Sequence, residues 1–246
     1  FHVSRIRQSW HCFGCDTGGD IFSFIEQIEG LDFREALVFL AQKAGVTLQQ
    51  TEVREKTAGK KRRLHEVNEL AMKFFRSMLL QLPQAADARA YVEKRGMDAL
   101  TADVFQIGYA PESWSLLTDA LQKRGITADE LLQVGLVMKR ERGDGVYDRF
   151  RGRLMFPIHD VHGEVVGFTG RILTSDPNQP KYMNTPETPV YRKSAVLYGL
   201  DKAKGEIRKQ GHVVIVEGNM DVVSSHQAGI THVVAASGTA LTSEQL

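Results

Sequence analysis

Cys12-Phe-Gly-Cys15 sets two thiols at either end of a turn that contains a glycine. That spacing lets two thiolates converge on one ion, and zinc then takes four ligands in a tetrahedron. His2 and His11 are the nearby imidazoles, but His11 adjoins Cys12 and its ring is expected to point away. A thioredoxin-like redox pair has the same spacing, and a helical pattern follows here too. That fold puts a buried strand just before the pair, and Gln8-Ser-Trp-His11 makes a poor one. Half of a zinc knuckle, a redox pair and an incidental pair all remain open from spacing alone.

A second group is basic. In an extended chain Arg149, Arg151 and Arg153 fall on one face, because side chains alternate. Guanidiniums grip oxyanions through paired N–H groups, so three in a row suit a phosphate backbone. A solvated edge strand whose arginines resist aggregation explains the same run. Arg171, Lys181, Tyr182 and Lys193 add cations and an aromatic across a stretch with Pro180, Pro186 and Pro189. A basic groove with an aromatic for stacking fits single-stranded nucleic acid.

The third group is acidic. Glu217 ends the apolar run Val213-Val-Ile-Val216, Gly218 opens a turn, and Asp221 follows about one helical turn on. Ligands of open α/β sheets gather at the C-terminal ends of strands, and two carboxylates there can hold Mg²⁺ through oxygen. For an isolated Glu-Gly pair, an acidic residue serving only the helix dipole is the simpler reading. Ser237-Gly238-Thr239, after the next apolar run, is a second turn suited to phosphate.

The elements that must position these residues follow from periodicity. Residues 1–20 alternate and turn as short strands, then helices are expected over 21–29, ended by Gly30, and 33–44, ended by Gly45. Residues 49–63 are polar, lack aromatics, end in Lys60-Lys-Arg-Arg63 and read as a basic linker. A helical region spans about 64–135, with a helix over 87–95 closed by Gly96 and helix starts at Thr101 and Thr127. Thr127-Ala-Asp-Glu130 matches a capping box. Short β runs at 154–158 and 165–168 flank a turn at 160–163. From 212 the order strand (213–216), helix (220–227), strand (233–236) and helix start implies a parallel sheet.

Composition bounds the rest. The chain has 246 residues, 31 Lys+Arg against 30 Asp+Glu, 42% hydrophobic residues and two cysteines. That excludes global disorder and a disulfide scaffold. No apolar run approaches the ~20 residues that span a bilayer, and two closely spaced cysteines suit a reducing compartment. The start at Phe1 and the stop at Leu246 inside a helical-looking run suggest a fragment cut at both ends.

The order of these pieces resembles the bacterial replicative DNA primase family (DnaG type) over nearly the whole chain. The stretches that carry the resemblance are Trp10-His-Cys-Phe-Gly-Cys15, Arg149-Phe-Arg-Gly-Arg-Leu-Met-Phe-Pro-Ile158, Gly167-Phe-Thr-Gly-Arg171, Lys181-Tyr-Met-Asn-Thr-Pro-Glu-Thr188, Leu197-Tyr-Gly-Leu200 and Val214-Ile-Val-Glu-Gly-Asn-Met-Asp221. The resemblance implies an α+β chain: part of a zinc ribbon (1–48), a basic linker (49–63), the mainly helical, mixed N-terminal subdomain of a catalytic core (64–211) and the start of an α/β Toprim fold (212–246).

Cys12 and Cys15 then look like one zinc pair, with the other Cys and His upstream of Phe1. Glu217 takes the catalytic, metal-holding position and Asp221 the acid on the next helix, with Mg²⁺ or Mn²⁺ as cofactor. Arg149, Arg151, Arg153, Arg171, Lys181, Tyr182 and Lys193 are expected to line a template and nucleotide groove facing that acidic corner. The implied activity is DNA-directed synthesis of RNA primers in the bacterial cytoplasm. Its partners would be single-stranded DNA, ribonucleoside triphosphates, the RNA primer/DNA hybrid and, through a separate C-terminal domain, the replicative helicase. An Asp-x-Asp pair of the family lies on a later strand, so this stretch alone is expected to make little primer and hold zinc weakly. Rival readings are a non-catalytic single-strand-binding module and another Toprim enzyme of topoisomerase or nuclease type.

Overall fold

The structure, a computed structural model, describes residues 1–46, 52–141, 143–174, 179–236 and 241–245. The chain divides into two compact units, Phe1–Thr57 and Ala58–Leu246.

The first unit opens with an antiparallel meander of β1 (His2–Ser4), β2 (Ser9–Cys12) and β3 (Thr17–Gly19), paired in that order. Trp10 ties the sheet to the next helix: its Nε1–H donates to the Asp20 carbonyl at 2.9 Å, and its ring meets Phe24 edge-on at 5.3 Å. Helix α1 (Ile21–Glu29) starts where the Asp20 carboxylate accepts from the Ser23 N–H, and it ends at Gly30. Helix α2 (Phe33–Ala44) carries a full capping box between Asp32 and Glu35. Gly45 closes it at φ +66°, returning its N–H to helix carbonyls. Both helices keep the bounds that the periodicity predicts.

Helix α3 (Glu52–Gln81) corrects one expectation, because the polar segment read as a linker is helical from Glu52 onward. Its Lys, Arg and Glu residues are good helix formers, and a helix already nucleated by the buried Leu64, Val67, Ala71 and Phe75 propagates easily into them. The start of that segment lies outside the described residues. Helices α4 (Ala86–Lys94) and α5 (Ala99–Val104) follow. Asp98, not Thr101, caps α5: its carboxylate accepts from the Thr101 N–H, and Thr101 sits inside the helix. A strand within the expected helical region, β4 (Gly108–Ala110), precedes α6 (Leu116–Gln122) and α7 (Ala128–Gln133). Thr127 and Glu130 form the capping box expected at the start of α7.

Strands β5 (Val137–Lys139) and β6 (Val146–Asp148) make a hairpin. Strands β7 (Arg153–His159), β8 (Val165–Ile172) and β9 (Tyr182–Asn184) join β4 in an antiparallel sheet of order β4-β7-β8-β9. One cluster holds Leu154, Phe156 and Ile158 with Phe105, Ile107 and Tyr198; another holds Met155 and Phe168 with Leu64, Phe75 and Leu131. Apolar cover on both sides explains why these strands read as continuous apolar runs. Gly108 marks a close approach, since a Cβ there would stand 2.6 Å from the Phe75 Cβ.

Helix α8 (Leu200–Gln210) leads to β10 (Val214–Val216), α9 (Asn219–Gln227) and β11 (Val233–Ala235). Strands β10 and β11 pair in parallel, as the strand–helix–strand order requires. The Ser237-Gly238-Thr239 turn lies outside the described residues, and the expected closing helix does not appear at 241–245.

Candidate functional site

Glu217 follows the last residue of β10, where the chain leaves the sheet. It is exposed, and its carboxylate has no hydrogen bond or ion pair among the described residues. Gly218 is the N-cap of α9, and its N–H donates to Asp221 Oδ2 at 3.2 Å. A Cβ at position 218 would stand 3.0 Å from that oxygen, so glycine keeps the Asp221 carboxylate close against the turn. The far end of α9 is tethered as well. Gln227 Oε1 accepts from the Asp98 N–H at 2.9 Å while its Nε2–H donates to the Gly96 carbonyl at 2.7 Å. Two carboxylates on a strand-to-helix turn are hard oxygen donors of the kind magnesium takes. Among the described residues no third acidic, His or Cys side chain joins them.

The basic residues divide. The expectation of one extended arginine face does not hold: β6 ends at Asp148, the chain bends, and Gly152 takes φ +60° before β7 begins. That residue breaks the alternation on which the shared face depended. Arg149 turns inward and its Nε–H donates to the Gly135 carbonyl at 2.8 Å. Arg153 is 1% exposed and donates to the Gly170 and Pro180 carbonyls and to Gln179 Oε1. Burial pushes both guanidiniums below the usual arginine range. Of these three arginines Arg151 is the one set over an aromatic, with its guanidinium carbon 4.1 Å from the Trp114 ring centre.

Arg171 and Tyr182 are direct partners across β8 and β9. The Arg171 guanidinium sits 4.3 Å from the Tyr91 ring and 5.8 Å from Tyr182, with Lys181 Nζ 5.9 Å from Tyr182. Its Nε and Nη1 are buried and have no hydrogen-bond partner among the described residues. A guanidinium held by ring faces, with donors unused, is suited to an anion. Lys193 is half-buried, and its backbone N–H donates to Glu187 Oε1 at 2.9 Å. Sequence reasoning missed Tyr91 and Trp114; each is a lone aromatic whose partner is distant in the chain, and no local spacing announces it.

Cys12 ends β2 and Cys15 sits on the turn to β3, ahead of a strand and not at the start of a helix, which removes the thioredoxin-like arrangement. Backbone N–H groups of Cys15, then Gly14, point at the Cys12 sulfur and hold its thiol below the usual cysteine range. Amide donors aimed at a sulfur stabilise a thiolate, the form that binds zinc. His11 is engaged elsewhere, with Nε2 3.3 Å from Asp16 Oδ1 and its ring against Phe13. This half of the donor set suits zinc.

Three family models match. Residues 1–56 match the CHC2 zinc finger, 74–204 the DNA primase catalytic core, N-terminal domain, and 211–246 the Toprim domain. The DNA primase of Deinococcus radiodurans is 44% identical over 244 residues, 99% of this chain and 41% of that protein. A crystal structure of the zinc-binding and RNA polymerase domains of Aquifex aeolicus primase is 34% identical with TM-score 0.69, covering 99% of this chain and 57% of that one. A DnaG primase catalytic domain bound to single-stranded DNA is 37% identical with TM-score 0.69, covering 76% and 59%. The chain thus spans about two-fifths of the length of the curated relatives it matches. With its core matched from 74 to 204 and zinc-finger and Toprim segments on either side, the chain belongs to the family of bacterial DNA primases of DnaG type.

Proposed function

We propose that this chain works in a DNA-directed RNA polymerase that makes short RNA primers on single-stranded DNA. The observation that carries the reading is the acidic turn, where an exposed, unengaged Glu217 at the end of a parallel strand stands one turn from Asp221. Relatives that share this chain's sequence from end to end are DNA primases.

In this reading Glu217 and Asp221 hold Mg²⁺ or Mn²⁺, which supplies charge stabilisation for the attacking 3′ hydroxyl and the leaving pyrophosphate. Arg171, Lys181 and Lys193 hold phosphates of template or nucleotide, and Tyr182, 44% exposed, offers a ring to a base. Arg151 joins them at the surface. Arg149 and Arg153, engaged with backbone carbonyls, act by holding the bend between β6 and β7. Cys12 and Cys15 contribute two ligands to zinc. Ribonucleoside triphosphates are the substrates, and the replicative helicase is the partner expected through another domain.

The test is Glu217→Gln in the complete protein. Primer synthesis on a single-stranded template falls to background while affinity for that template stays near wild type. Loss of template binding instead, with synthesis per bound template retained, would recast Glu217 as structural and remove the reading.

A further inference from the structure

Lys193 opens a single 3₁₀ turn, Lys193–Ala195, in which the Ala195 N–H donates to the Arg192 carbonyl at 3.0 Å. Side chains from two other segments hold the backbone of this turn. The Lys193 N–H donates to Glu187 Oε1 at 2.9 Å. Gln245 Nε2 donates to the Lys193 carbonyl at 3.2 Å and to the Val196 carbonyl at 3.0 Å. The Thr242 hydroxyl donates to the Ser194 carbonyl, between them, at 2.6 Å. Thr242 and Gln245 are half-buried, while Ser243 and Glu244 are exposed. Glu244 adds a surface pairing with Arg192 at 3.3 Å, which contributes little.

The residue type at 245 is informative. Thr242-Ser-Glu-Gln245 has the spacing of a capping box, whose last position takes Glu or Gln. Gln245 Oε1 makes the reach-back bond, accepting from the Thr242 N–H at 3.2 Å. A glutamate could accept that bond equally well. Only the amide also carries the two N–H donors that grip the Lys193 and Val196 carbonyls. From this we infer that Gln245, with Thr242, is a positioning residue for Lys193, holding its backbone so that the ammonium stands ready for a phosphate. The inference rests on the phosphate-holding role given to Lys193 above and adds the groups that set it. The Lys193 ammonium has no ion pair among the described residues, so its charge is available. With the turn held in advance, less of the chain has to be ordered when phosphate binds.

The test measures primer synthesis by the complete protein, as kcat/KM for ribonucleoside triphosphates on a single-stranded template. Lys193→Ala should lower it about tenfold or more, the range for losing a hydrogen bond to a charged group. Gln245→Leu should lower it roughly 2- to 10-fold, the range for leaving one more group to be ordered on binding. Gln245→Glu keeps the bond to Thr242 without the two donations and should do no better than Gln245→Leu. Thr242→Ser should keep most of what Thr242→Val loses. The deciding measurement is the double variant. On the Lys193→Ala background, Gln245→Leu should cause no further loss, because its effect passes through that lysine. Any resolvable further loss there, or full activity in Gln245→Glu, would make Gln245 a packing residue and overturn the inference. If Lys193→Ala is impaired while Gln245→Leu and Thr242→Val match wild type, the positioning is wrong and the primase reading stands. If Lys193→Ala matches wild type, the role of Lys193 falls and the inference with it. If the unmodified protein makes no primer, the primase reading falls as well.

Discussion

The two units solve the problem of holding a site in different ways. In Phe1–Thr57 the buried apolar side chains among the described residues are Ala36 and Ala41, while Phe1, Ile6, Phe13 and Ile28 are each more than 60% exposed. Order there comes from local devices: the Asp20 and Asp32 caps, Gly30 and Gly45, and the Trp10 bond to Asp20. In Ala58–Leu246 two apolar clusters cover a buried sheet, and polar groups are placed by contacts far apart in sequence, as Gln227 is with Gly96 and Asp98. A short segment cannot bury much of its surface, so the first unit relies on caps and a metal-ready turn, and the second on packing.

The largest break in that contrast is Phe168→Ala. Phe168 is fully buried against Phe75 and Phe150, so the substitution should cost the second unit ~3–5 kcal/mol in urea unfolding. Amide exchange in α1 and α2 should not change. Equal loss in both units would show that they unfold together.

Next comes acid. Burial, then the charge of Lys202, pushes His159 down from an ordinary 6.5 to about 4, against the nearby Asp201 and Asp160. A histidine kept neutral by the fold stabilises it fully above pH 6.5, and that contribution is lost as pH falls from 6.5 through 4. The loss should reach on the order of 3 kcal/mol. Urea midpoints measured from pH 7 to 4 should decline for the second unit, and His159→Gln should flatten the decline. An unchanged slope in the variant would assign the effect to other groups.

Smaller still is Asp32→Ala in the first unit, expected to cost about 1 kcal/mol and to be read as faster exchange at the start of α2. The smallest effect belongs to zinc. Two thiolates with no third donor among the described residues should leave this chain well below one zinc per molecule by elemental analysis after gel filtration. One tightly held zinc, with a large rise in the first unit's melting point, would mean that metal replaces the missing core.

Legibility in the sequence follows the same division. The bounds of α1 and α2 and the start of α7 were readable because caps and apolar period sit within a few residues of each other. The strand–helix–strand order from β10 to β11 was readable for the same reason, and it located Glu217. What could not be read depended on partners tens of residues away. Arg153 meets carbonyls at 170 and 180, Arg149 meets Gly135, and Arg151 meets Trp114, so one tidy arginine face became three separate fates. The strand β4 was hidden because its three residues carry no pattern of their own. The charged start of α3 was misread because its polar sequence shows no apolar period.

The Gln227 tether gives α9 a mechanical role. Nine residues make a rod about 13 Å long, held at one end by a two-point amide grip on the loop between α4 and α5, seated in the core by the buried Val222 and Val223, and carrying Gly218 and Asp221 at the other end. A close-packed helix passes a shift at one end on to the other, so the grip and the Asp221 carboxylate move together. The stiffness of the acidic turn is thus set in part by a neutral side chain at the opposite end of the helix.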